Sequence, residues 1–216
     1  MKDIYTSLSG SLGAWRQVEL LSNNISNVNT AGFRESRAAF GSDGQMLRLE
    51  EVGYNAADGA LELDNNPHHF ALRGDGFFSL ANGSYTRDGA FHVDLQGNLV
   101  NADGVGVLDD QGRPVVLRPN ELITVARDGS ILGSLSGNAG KLGIYQLNNP
   151  RPVGGNLWQG TPVASTAEVL QGGIERSNAD PLRGMVELIE ASRYFEAQEK
   201  VIRTSDEMRA CLNRLN

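Results

Sequence analysis

Adjacent imidazoles at His68 and His69, with Asp64 just upstream, are the side chains best suited to holding a transition metal, while Asp103, Asp109 and Asp110 offer carboxylates to a hard cation. Neither group has the ligand spacing of a known metal site. Neighbouring side chains in an extended segment point to opposite faces, so the two histidines would not close on one ion. The acids read as turn residues, and no metal site is expected. A nucleophile is equally hard to place: there is no G-x-S-x-G elbow, and the serines, the single Cys211 and the three histidines form no recognisable arrangement. Gly74-Asp75-Gly76 and Gly104-Val105-Gly106 are not followed by an opening helix, which a phosphate cradle requires. The chain therefore reads as a non-enzyme, with no catalytic residues and no cofactor.

Two polar groups are more distinctive. Tyr85-Thr86-Arg87-Asp88-Gly89-Ala90-Phe91 reads as a strand ending in an Asp-Gly turn, with Tyr85 and Phe91 inward and an internal ion pair between Arg87 and Asp88 fixing the turn at Gly89. Asn23, Asn24, Asn27 and Asn29 place four amides within seven residues. They have two readings: caps at a fraying helix end, or donors and acceptors across a contact between subunits.

The elements that position these groups follow from periodicity. Ile4, Leu8, Leu12, Trp15, Val18, Leu21, Ile25 and Val28 recur at steps of three and four, the mark of a one-sided amphipathic helix, with Gly32 placed as its C-terminal stop. Asp180 and Pro181 form the N-cap and first position of a second helix. In it, Val201, Ser205, Met208, Leu212 and Leu215 alternate by four and three, beside Leu188, Phe195 and Ile202 at intervals of seven, a pattern suited to a coiled coil. Between the helices lie 22 of the 26 glycines, punctuating short β-like runs such as Phe70-Ala71-Leu72, Gly76 to Leu80, Phe91-His92-Val93, Val115-Val116-Leu117 and Leu142 to Leu147. Arg87-Asp88-Gly89-Ala90-Phe91 has an echo in Arg127-Asp128-Gly129-Ser130-Ile131. The expected fold is α+β: long N- and C-terminal helices pairing as a coiled coil, with a central antiparallel all-β domain. The divisions are a helical assembly segment at 1–37, a connection at 38–66, the β domain at 67–174 and a second helical assembly segment at 175–216.

Charge narrows the partners. A net charge of −7 and a pI near 5.0 argue against a nucleic-acid partner, which needs a basic face, and against an anionic membrane surface. No small-molecule substrate is indicated. Residues 1–37 hold four Lys or Arg against three acids, and residues 175–216 hold seven against eight, so the helical ends are nearly neutral. Near-neutral amphipathic ends suit packing against copies of themselves. The N-terminal residues lack the apolar stretch of a secretory signal, which predicts either retention in the cytosol or export by a route without a cleaved signal.

The run Leu21-Ser22-Asn23-Asn24-Ile25-Ser26-Asn27-Val28-Asn29-Thr30-Ala31-Gly32-Phe33 resembles the N-terminal signature of bacterial flagellar rod and hook proteins, with Ile25-Ser26 standing for Leu-Ala and Arg34 for lysine. Gly173 to Asp180, Met185 to Ile189, Arg193 to Ala197 and Lys200 to Met208 resemble the C-terminal part of that family. Phe70 to Phe78 and Tyr85 to Phe91 resemble its middle. The resemblance implies a subunit of the flagellar axial structure, exported unfolded through the flagellar type III apparatus. Its partners would be copies of itself and other flagellar rod proteins, and its place the rod spanning the periplasm. The compact middle looks closer to proximal rod members than to hook members, with a distal rod member as the alternative within the family. The expected assembly interface comprises Leu8, Leu12, Trp15, Val18, Leu21, Asn23, Asn24, Ile25, Asn27, Val28, Leu188, Phe195, Val201, Ile202, Met208 and Leu212. The competing reading is a self-contained binding or hydrolytic module, which predicts a ligand-sized pocket lined by polar groups such as Arg87 and His92.

Overall fold

Asp180 opens the C-terminal helix as its spacing predicts: its carboxylate accepts from the backbone N–H of Leu182 at 3.0 Å and Arg183 at 3.3 Å, and α2 runs from Pro181 to Arg214. The N-terminal helix α1 covers Lys2–Ser26. The computed structural model describes the backbone of all residues except 1, 44–45, 119–120, 136, 155 and 215–216. Among the rest, the side chains of 2–9, 40–43, 46–52, 138–139, 205–206 and 209–214 are outside the described set.

The chain divides into two units. The first holds residues 1–28, 34–56 and 179–216, and the second holds 29–33 and 57–178. In the first, the two helices are joined by an antiparallel hairpin of β1 (Ser36–Asp43) and β2 (Met46–Tyr54), with a bulge between Ala39 and Phe40. Part of the stretch read as a connection is thus regular sheet. A Cβ added to Gly10 would lie 3.6 Å from the Tyr194 hydroxyl, and one added to Gly184 would lie 3.1 Å from Ile25 Cγ1, so α1 and α2 pack antiparallel.

α1 ends two residues before the expected Val28, and Gly32 does not stop it. The Ser26 hydroxyl and the Asn27 amide donate to the carbonyls of Ser22 and Asn23, both at 2.9 Å. The Asn23 carbonyl also accepts the Asn27 backbone N–H at 3.1 Å, so these side chains add a second donor to carbonyls of the last turn and compete there with continuation of the helix. Gly32 belongs instead to the second unit, where its N–H donates to the Glu175 carbonyl at 2.7 Å.

The second unit is β throughout. Its strands are β3 (Leu61–Leu63), β4 (Phe70–Arg73), β5 (Phe77–Ser79), β6 (Tyr85–Thr86), β7 (His92–Val93), β8 (Leu99–Val100), β9 (Ile123–Val125), β10 (Ser130–Gly133), β11 (Gly137–Lys141), β12 (Ile144–Gly154), β13 (Leu157–Ala164), β14 (Glu168–Gln171) and β15 (Gly173–Glu175). Every strand pair is antiparallel, and β12, β13, β6 and β5 close into a small ring. Phe78 and Phe91 meet edge-on at 5.1 Å in the core, with Phe70 beside them and Leu72, Leu80, Leu99, Val107, Val115, Ile131 and Leu142 filling the remainder. Val115 and Leu117 are buried and Val116 is exposed, the alternation of an extended segment, although this expected β run is held by an isolated bridge from Val116 to Asn98 and not by a regular strand.

Loop chemistry repeats through this unit. Asp94, Asn101 and Asp109 each accept, through Oδ1, the N–H groups two and four residues on, and each is followed three residues later by a glycine with positive φ: Gly97, Gly104 and Gly112. The oxygens of Asp109, weighed above as cation ligands, are engaged by their own loop. Asp88 and Asp128, the two aspartates of the internal echo, make the same two-residue turn to Ala90 and Ser130.

Candidate assembly surface

The expected one-sided stripe of α1 winds round the helix. Leu12, Trp15, Val18 and Leu21 are separated by three successive steps of three residues, each about 60° short of a full turn, so Leu12 and Leu21 finish on opposite faces. Small residues Gly10, Ser11, Gly13 and Ala14 are buried in the first half of the helix, together with Leu21 in the second, whereas Leu12 and Trp15 are 58% and 48% exposed. The Arg16 guanidinium lies 5.3 Å from the Trp15 ring.

α2 separates its apolar positions in a similar way. Gly184, Leu188, Ala191, Phe195, Gln198 and Ile202 advance by alternating steps of four and three and are buried or half-buried. Leu182, Val186 and Ile189 each lie two residues, about 200°, from a member of that seam, on the far side of the helix. With Met185 they form an i, i+3, i+4, i+7 stripe whose members are all at least half exposed. Tyr194, Val201 and Met208, at intervals of seven, form a second exposed apolar row about 110° round the helix from that stripe. The seven-residue repeat of Leu188, Phe195 and Ile202 thus belongs to the subunit's own packing, while that of Val201 and Met208 faces solvent.

Of the remaining expected interface residues, Val18, Ile25, Asn27 and Val28 are half-buried, and Asn23 is exposed. The side chains of Leu8 and Leu212 lie outside the described residues. Asn24 departs most from expectation. It is buried; its Nδ2 donates to the Ser36 carbonyl at 2.8 Å, and its Oδ1 accepts from the Ser36 N–H at 2.9 Å. One amide thereby copies both bonds of a β-ladder step and fastens α1 to the start of the hairpin within the same subunit. Arg34 is also buried there, donating to the carbonyls of Asn55 and Ala56. Sequence reasoning missed Leu182, Met185, Val186, Ile189 and Tyr194, although the first four carry a complete helical stripe of their own.

Arg87 is paired, but not with its neighbour Asp88. Its fully buried guanidinium donates to Glu175 at 2.6 Å and Asp58 at 2.9 Å, and to the carbonyls of Gly74, Gly76 and Leu72 at 2.7, 2.7 and 3.2 Å. Asp88 is occupied by its turn, and burial raises its pKa from the ordinary aspartate value against the opposing bond from Ala90. Burial would also raise the pKa of Asp109. Hydrogen bonds from the Arg113 N–H, the Arg113 guanidinium and the Gln111 N–H, with the guanidinium charge, outweigh it and hold the value low.

Arg87 does not line the cleft of about 260 Å³ found among the described residues. That cleft lies in the helical unit, between Gln17, Leu20 and Leu21 of α1, Glu35 to Ala38, and Arg183 and Glu187 of α2. Its charged rim is self-paired, Arg37 to Glu35 at 2.8 Å and Arg183 to Glu187 at 2.7 Å. His69 is held by Asp64 and Asn66.

Three segments of the chain match families of known proteins. Residues 4–34 match the family described as flagella basal body rod protein, 71–133 the flagellar hook protein FlgE/F/G D1 domain, and 170–215 the flagellar basal body rod FlgEFG protein C-terminal family. The flagellar basal-body rod protein FlgF of Caulobacter vibrioides is 30% identical, over 98% of this chain and 97% of its own length. FlgG of Bacillus subtilis is 26% identical over 96% of each chain. FlgG of Borreliella burgdorferi is 29% identical over all of this chain and 98% of the relative. The chain belongs to the flagellar basal-body rod protein family. It is a structural protein, not an enzyme.

Proposed function

We propose that the chain is a subunit of the proximal rod, the counterpart of FlgF, and that it polymerises through α1 and α2 into the axial shaft. The observation that carries this reading is the apolar surface on the helical unit: Leu12 and Trp15 on α1, and Leu182, Met185, Val186, Ile189, Tyr194, Val201 and Met208 on α2, all large and all near or above half exposure. Large apolar side chains left exposed in this number on two packed helices mark an interaction site. A helix that is apolar on opposite sides is built to be enclosed. Copies of this chain and other rod proteins would cover these faces, the helices continuing as a coiled coil against neighbours, and contacts that do not close into a ring extend as a filament. Export through the flagellar type III apparatus and a place in the periplasm-spanning rod belong to the same reading. The proximal assignment is supported by the compact middle: the alignment with the Caulobacter FlgF spans 239 positions, against 254 and 267 for the Bacillus and Borreliella FlgG proteins.

The test is complementation. In strains lacking FlgF or FlgG, the chain should restore rods and motility in the first and not the second. The reverse result would make it a distal rod subunit. Val201→Glu with Met208→Glu should abolish incorporation while leaving Trp158, buried in the β unit, with its native fluorescence. Normal incorporation of that double variant would remove the helical surface from the assembly reading.

A further inference from the structure

The chain passes between its two units at four places, and in the β unit the segments next to those passages are tied to one another around a single buried ion pair. Gly32 N–H donates to the Glu175 carbonyl at 2.7 Å, and Asn178 N–H to the Phe33 carbonyl at 3.2 Å. The Asn178 side chain donates to Ala57 O at 2.7 Å, Arg176 N–H to Ala60 O at 2.8 Å, and Gly59 N–H to the Glu175 carboxylate at 2.9 Å. Arg87 then joins Glu175 to Asp58. Space at this node is restricted: Gly32 has φ +64°, and a Cβ on it would lie 2.4 Å from the Arg87 carbonyl carbon.

Little apolar burial accompanies these bonds. All three residues of β3, which pairs with β15, are exposed, whereas Phe70, Ala71 and Leu72 of the adjacent β4 are buried. A region held mainly by polar bonds with few apolar contacts opens below the global unfolding free energy. We propose that Arg87 and Glu175 form a latch that fastens Asn29–Phe33, Ala57–Leu63 and Gly173–Asn178 together, and that the latch opens as one unit while the aromatic core of the β unit stays folded.

Amide hydrogen exchange on the full-length chain tests this. In the wild type, the amides of Gly32, Gly59, Arg176 and Asn178 should share one opening constant, larger than that of Val107 and Val115, whose amides bond to Leu99 and Val107 within the core. Glu175→Gln, which removes the charge from the pair, should accelerate the latch amides on the order of a hundredfold and leave Val107 and Val115 unchanged. Gly32→Ala, which crowds the node at the Arg87 backbone while leaving both charges of the pair in place, should act in the same direction on the same amides. The latch is refuted if its amides exchange with unrelated constants in the wild type, if they open only together with Val107 and Val115, or if both variants leave their rates unchanged.

Discussion

Asn24 and Asn23 are adjacent in the same signature, and the structure assigns them opposite roles, which makes their replacement by alanine a sharp comparison. Asn24→Ala removes two hydrogen bonds, 2.8 and 2.9 Å long, and leaves the N–H and carbonyl of Ser36 without that partner. An unpaired buried backbone group costs about 1–3 kcal/mol. Ser36 is half-buried, so water reaches part of the site and the lower half of the range applies, about 1–2 kcal/mol for each group. The expected loss is therefore about 2–4 kcal/mol, confined to the helical unit. Asn23→Ala, at an exposed helical position, should change stability by no more than about 0.5 kcal/mol. Urea unfolding followed by helical ellipticity measures both, and amide exchange over Ser36–Tyr54 locates the effect. Equal losses in the two variants would refute the reasoning. So would an Asn24→Ala protein whose hairpin remains protected but which no longer assembles, since that result would place Asn24 at a contact between subunits.

Two further outcomes follow from the β unit. A Cβ on Gly89 would lie 1.6 Å from the Phe70 carbonyl oxygen, so Gly89→Ala must displace β4 and with it Phe70; a loss of at least about 3 kcal/mol is expected from denaturation monitored at Trp158. Asp88→Asn should stabilise the protein at neutral pH. A carboxyl whose folded pKa is raised contributes stability that is fully present below its unfolded pKa and lost as pH rises through the folded value, so the advantage of the amide should shrink as pH falls into the ordinary carboxylate range. An advantage that grows on acidification would show that burial does not dominate at this carboxyl.

Much of the architecture was readable because local chemistry and fold agree. Asp180-Pro181 starts a helix for reasons contained in those two residues, and Phe70-Ala71-Leu72 and the Asp-Gly turns mark strands and corners by pattern alone. The recurring Asp/Asn-x-x-Gly loops at Asp94, Asn101 and Asp109 were equally available, since the carboxamide or carboxylate and the glycine act within five residues. The apolar stripe of Leu182, Met185, Val186 and Ile189 was present too. It was obscured because α2 carries a second apolar face, and periodicity does not say which face the subunit keeps for itself.

That choice belongs to the tertiary structure. Gly10, Ala14, Gly184 and Ala191 let the two helices approach, so small residues occupy the seam and Leu12, Trp15 and Ile189 are left outside. The partners of Arg87 are of the same kind. Asp88 is one residue away, but Glu175, 88 residues distant in sequence, is where folding brings a buried carboxylate within 2.6 Å. By itself the sequence determined the two helices, several of the β runs, the family signature and the absence of catalytic motifs, because these depend on spacing along the chain. Only the folded chain decided which asparagine is internal, which helix face is free and which acid holds the arginine, because burial and pairing depend on distances between segments that sequence separation does not specify.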